Sequence, residues 1–102
     1  MGNSTQYTLP PVSVKAASDV KITKLSLLII GTEYSHVLQS GVSQLELYPK
    51  LGSEIYFRFS SSGEYKTIPR GNSYNLAGIN FIGKTVYIIG SSIDDIEITE
   101  YY

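Results

Sequence analysis

The chain has 102 residues, 42% hydrophobic and 17% charged, a length that fits one domain and a composition that supplies one core and excludes the disordered class. Its formal net charge of −1, with acidic and basic residues interleaved, offers no phosphate-neutralising patch and argues against nucleic acid as a partner. With no cysteine, disulfide frameworks and thiolate metal sites are excluded, and the redox compartment is left open.

Residues 1–11, MGNSTQYTLPP, are polar and end in Pro10 and Pro11, which lack backbone donors, so they are expected to form a flexible arm ahead of a β domain over 12–102. No basic start followed by an apolar run is present, and no stretch approaches the ~20 apolar residues a bilayer span needs. Synthesis in a cytoplasm, with no membrane partner, is the expectation. Gly2 followed by Ser4 and Thr5 fits the loose myristoylation pattern, and the plain reading as a flexible terminus outweighs it. Val12 and Val14 alternate with Ser13 and Lys15, and Val20 and Ile22 with Lys21 and Thr23, which predicts a hairpin over 12–23 turning near 17–19. Residues 25–30, LSLLII, are too short for a typical helix and read as a strand buried on both faces, with a short helix as the alternative. A strand is predicted over 33–38. In 43–48, Leu45 and Leu47 point one way and Gln44, Glu46 and Tyr48 the other, until Pro49 ends the run.

The clearest signals lie in 53–102. Ile55, Phe57 and Phe59 alternate with Glu54, Tyr56 and Arg58, the period of two of a strand with one buried face. A polar turn at 60–63 leads to strands over 64–68 and 73–76, separated by Pro69 and a loop at 70–72. Ile79 and Phe81, in a connection over 77–83, are expected to plug the core. Strands over 84–89 and 93–102 close the chain, with Ile96 and Ile98 inward. Short strands at this spacing, with Gly and Pro punctuation and no amphipathic helical window, indicate an all-β fold: a single antiparallel β-sandwich, Ig-like or jelly-roll-like, with a small barrel as the alternative.

Chemistry is sparse. His36 is the one histidine, and with Glu33 as its nearest acidic neighbour it reads as a strand histidine near the surface and not a zinc ligand. Ser35 beside it points to the opposite face of a strand, and no glycine-framed nucleophile turn surrounds it. Asp94, Asp95 and Glu97 form an acidic cluster whose spacing matches no calcium loop, and Asp is expected where a turn opens a strand. Arg70-Gly71-Asn72 differs from an adhesion tripeptide in its third residue, and no Gly-rich loop precedes a helix to cradle a phosphate. No catalytic, metal or cofactor-binding residue is assigned, and no enzymatic activity is expected. Nine tyrosines without tryptophan suit protein contact better than sugar stacking. The contact candidates are Tyr7, Pro10 and Pro11 of the arm together with Tyr48, Tyr56, Tyr101 and Tyr102.

Three phrases carry a family resemblance: YSHVLQSGVSQLELYPK, IYFRFSSSGEYKTIPRGNSY and KTVYIIGSSIDDIEITEYY. Their order and wording resemble the small β-sandwich structural proteins of tailed-bacteriophage virions, of head-decoration, auxiliary capsid or head-fibre type. The resemblance covers about two-thirds of the chain. It departs at the close, where the common phrase ends in Glu-Trp and this chain has Glu100-Tyr101-Tyr102. What it implies is a non-enzymatic virion protein bound to the major capsid protein or another virion component, with homo-oligomers possible. The alternative is a carbohydrate- or receptor-binding module of a tail or fibre, and a hydrolase ranks third.

Overall fold

The computed structural model describes residues 19–77 and 84–102, and within them there are eight strands and no helix. In chain order these are β1 (Val20–Leu27), β2 (Glu33–Val37), β3 (Gln44–Pro49), β4 (Ile55–Arg58), β5 (Lys66–Ile68), β6 (Tyr74–Ala77), β7 (Thr85–Gly90) and β8 (Asp94–Tyr101). They form two four-stranded antiparallel sheets, ordered β1-β8-β3-β6 and β2-β7-β4-β5. The pairs β1·β8, β2·β7, β3·β6 and β4·β5 are those of one long antiparallel ribbon rolled over itself, closed laterally by β8·β3 and β7·β4. This is the jelly-roll form of the predicted sandwich.

The period of two places the core. Leu45 and Leu47 of β3, Ile55 and Phe57 of β4, Val86 and Ile88 of β7, and Ile96 and Ile98 of β8 all point between the sheets and are buried. In the register Leu47 sits beside Ile98, and Phe57 beside Ile88, so apolar side chains meet in matched rows. Burying a Leu, Ile or Phe side chain in this way stabilises the fold by about 1.5–3 kcal/mol.

The run 25–30 is not a strand buried on both faces. Strand β1 ends at Leu27, which is buried, and Leu28, Ile29 and Ile30 form the turn into β2 and are exposed. Gly31, at φ +80°, supplies the left-handed residue that reverses the chain there, so the apolar run spans a strand end and a loop. The predicted hairpin turn near 17–19 and the core plugs Ile79 and Phe81 lie outside the described residues, as does the arm over 1–11.

Because the ribbon passes between sheets, its connections gather at two ends. The loops at 28–32, 50–54, 69–73 and 91–93 share one end, tied together by Gly31 N–H to Gly90 O (3.2 Å), Lys50 N–H to Asp95 O (2.9 Å), Gly71 N–H to Gly52 O (2.8 Å) and Ser91 N–H to Glu54 O (3.3 Å). The opposite end carries the loops at 38–43 and 59–65 and the start of β7, and there Asp19 and Tyr102 exchange backbone hydrogen bonds of 2.8 and 3.0 Å.

Candidate functional site: the mouth between the sheets

At this second end the edge strands β5 and β6 border a wide-open cleft of about 480 Å³ between the sheets. Its floor follows from strand alternation. Phe57 is on the inward face of β4, Phe59 lies just past the end of that strand, and Tyr74 and Leu76 are on the inward face of β6. Phe57 meets Phe59 edge-on, with centroids 5.8 Å apart and an interplanar angle of 79°, and meets Tyr74 at 4.5 Å and 53°. These geometries favour aromatic contact and fix the rings in place.

The rim is basic. Lys66 pairs with Phe57 across the β4·β5 ladder and so shares its inward side at the edge of the sheet. Lys84 is two residues before the inward Val86, and both lysines line the cleft with Glu64. Arg58 also borders it, but its guanidinium is engaged on the outer face. There it pairs with Glu33 (2.9 Å), donates to Gly63 O (2.7 Å) and lies 4.3 Å over the Tyr65 ring. The Tyr65 hydroxyl donates to Glu33 as well, and this bond first, with the Arg58 hydrogen bond and charge, holds the Glu33 carboxyl below its ordinary value.

A second polar feature lies at the other edge of the same end. His36 points inward from β2, and its Nε2–H donates to Glu100 Oε2 at 2.6 Å. Gln39 N–H donates to Glu100 Oε1, also at 2.6 Å. Glu100 is fully buried. A buried carboxylate is tolerated where its oxygens accept hydrogen bonds in this way. His36 is therefore no lone surface histidine, and Glu100, which sequence reasoning passed over, is its partner. The signal was present: Ile96, Ile98 and Glu100 are successive inward positions of one strand.

The acidic cluster does not converge. Asp94 is turned inward at the other end and is 2% exposed, whereas Asp95 and Glu97 face outward, each 4.0 Å from a lysine, Lys24 and Lys50 respectively. Asp94 accepts from Ser53 Oγ (2.5 Å), Asp95 N–H (2.6 Å), Leu51 N–H (2.9 Å) and Ser53 N–H (3.3 Å). Burial pushes its carboxyl up, and these hydrogen bonds outweigh that and hold it below the ordinary value. Asp94 is thus an anchor for the 50–54 loop. Among the described residues no group of three or more His, Cys, Asp or Glu is placed to hold a metal ion.

The tyrosine candidates do not form one surface. Tyr48 is exposed on the outer face of the first sheet, beside Glu97, and Tyr101 is on the same face at the far end of its strand, beside Gln44. Tyr56 is on the outer face of the other sheet, its hydroxyl donating to Glu54 at 3.0 Å, and Tyr102 packs against the core. Tyr7, Pro10 and Pro11 lie outside the described residues.

The fold has known counterparts. The chain is similar to the Cupin_2 domain of an XRE-family transcriptional regulator from Enterobacter cloacae, at 14% identity and a TM-score of 0.57 over 81% of each chain. It is similar to a cupin superfamily protein from Desulfitobacterium hafniense at 11% identity and a TM-score of 0.53, over 85% of this chain and 71% of that one. A de novo designed double-stranded β-helix matches with 18% identity and a TM-score of 0.53, over 79% of this chain and 96% of the design. At these identities the likeness is one of fold. No protein-family model and no curated protein matches the chain.

These neighbours overturn the expected function. The matched structures are cupin-domain proteins and a designed double-stranded β-helix, none of them a virion protein, so the virion decoration or head-fibre role, and with it the tail or fibre receptor-binding alternative, is withdrawn. The physical reason is that the three phrases behind the resemblance are strand and turn sequences, which any jelly roll of this strand spacing requires.

Proposed function

We propose that the chain is a non-enzymatic binding module that takes a small planar carboxylate in the mouth between its sheets. The observation behind this reading is the cleft itself. A floor of Phe59, Tyr74 and Leu76, backed by the buried Phe57, underlies a rim bearing Lys66, Lys84 and Glu64. A flat ring slides against the aromatic floor, burying apolar area, while its carboxylate stays at the rim within reach of two ammonium groups. A non-catalytic role is supported by the placement of Ser35, exposed on the outer face of β2 and turned away from His36.

The test is a titration of the protein with benzoate and with benzamide, followed by NMR shifts of backbone amides or by calorimetry. Benzoate is expected to bind with a Kd of about 1 mM, near −4 kcal/mol for a ligand this small, and to shift amides of β4, β5 and β6. The neutral amide is expected to bind at least about fivefold more weakly. A Lys66→Met, Lys84→Met double variant should lose that preference while keeping its fold. Equal affinity for the two probes, or shifts confined to other strands, would overturn the reading.

A further inference from the structure

The end away from the mouth has the opposite character. Leu28, Ile29, Ile30, Leu51 and Ile93 are exposed there, between 60% and 78%. They sit on three separate loops, yet the register brings them together. Leu28 follows Leu27, which pairs with Asp94, Ile93 precedes Asp94, and Leu51 donates its N–H to the same Asp94. Strands β1, β8 and β3 are immediate neighbours, so at a strand spacing of about 4.8 Å their loops emerge within about 10 Å of one another. The loops are held, not loose: Thr32 N–H donates to Ile29 O at 3.3 Å, Ile29 N–H donates to the Tyr34 hydroxyl at 3.1 Å, and Asp94 grips the 50–54 loop.

Five aliphatic side chains exposed to this degree present roughly 600 Å², the upper end of what a monomer leaves uncovered. That is most of the area, about 800 Å², that each partner contributes to a standard interface. Lys50, Arg70, Glu54 and Asp95, two residues of each sign, lie in the loops and strand ends beside the patch, Lys50 and Asp95 pairing with Glu97 and Lys24 on the adjoining sheet face. A surface built for anionic lipid would carry basic residues alone at its rim. A rim of both signs is what a self-complementary contact needs, because a twofold axis places each patch against its own copy and can set each cation against an anion. We infer that this apolar end is the contact face of a twofold dimer with a second copy of the chain. It leaves both mouths, at the far ends of the two copies, open to ligand.

Sedimentation equilibrium of the full chain, from micromolar to near-millimolar concentration, tests this directly. The expected result is a reversible monomer–dimer equilibrium that Ile29→Asp and Leu51→Glu each weaken by at least about tenfold, the effect of placing a charge at the centre of an apolar contact. Both positions are exposed, and thermal unfolding of each variant confirms that it folds. A wild-type chain that stays monomeric throughout overturns the inference, as does a dimer that the double variant leaves unchanged. A monomer that co-sediments with phosphatidylglycerol vesicles overturns it in favour of a membrane. Benzoate binding is read separately at the other end, so failure of either proposal leaves the other standing.

Discussion

Glu100, on the last strand of one sheet, accepts a 2.6 Å hydrogen bond from His36, on the edge strand of the other and 64 residues away. The contact joins the sheets by a polar link at an end where Leu38, Val42, Leu45 and Val86 otherwise fill the space. Glu100→Ala should destabilise the protein by about 3–5 kcal/mol, because it leaves His36 and Gln39 N–H facing an apolar void. Pairing His36→Phe with Glu100→Leu should cost clearly less than the sum of the single changes. Urea unfolding of the four proteins in this double-mutant cycle gives the coupling directly.

Asp94 makes the protein sensitive to acid. Its carboxyl titrates below the ordinary 3.8 when folded, so the stabilisation it gives is fully present above the unfolded value and is lost as pH falls through the folded one. Asp94→Asn should lower stability at neutral pH by about 2 kcal/mol, since an amide cannot replace a charged acceptor of several donors. It should also flatten the fall in stability below about pH 4. Denaturant midpoints measured at stepped pH separate the two effects.

Two glycines should respond differently to alanine. A Cβ on Gly90 would lie 3.0 Å from Leu27 Cδ1 and 3.0 Å from Ser92 O, inside a packed strand end, whereas one on Gly31 would meet nothing within 4 Å. Gly90→Ala should therefore cost about 1–3 kcal/mol through overpacking. Gly31→Ala should cost about 1 kcal/mol, from its positive φ alone. Thermal midpoints of the two variants give the order.

Tyr65 should titrate late. The hydrogen bond to Glu33 comes first in raising its phenol above 10.0, with burial adding to it and the Arg58 charge opposing. Following phenolate absorbance in wild type and Glu33→Gln should show one tyrosine moving to lower pH in the variant. An unchanged titration curve would remove Glu33 as the cause.

How far the sequence could be read depended on whether a signal was local. Alternation at Ile55, Phe57 and Phe59, and again at Ile96 and Ile98, gave strands and inward faces because side-chain direction follows from the backbone alone. The all-β sandwich followed from strand length and punctuation, while the choice between Ig-like and jelly-roll-like forms waited on the strand pairing. Leu28 to Ile30 were misread because hydropathy registers an apolar run and not where the strand under it stops. The cleft was invisible: Phe57, Lys66, Tyr74 and Lys84 meet only through the pairing of β4 with β5 and the facing of two sheets. Glu100 could have been found, by extending the alternation one step beyond Ile98.

The sheet order bears on how the chain reaches its fold. Strands β7 and β8 are the last two in sequence, yet each occupies an interior place in its sheet, β7 between β2 and β4, β8 between β1 and β3. Of the described strands, only β4 and β5 are neighbours in both sequence and sheet. As the polypeptide leaves the ribosome, β1 and β2 thus lack any partner among the described strands, and the β4·β5 hairpin and the longer-range β3·β6 pair lack the strands that join them to the rest. Collapse into two sheets waits for residues 84–102, which predicts slow, all-or-none folding on the millisecond-to-second scale of non-local β topologies. A nascent chain stalled before residue 84 exposes unpaired edges and is prone to aggregation.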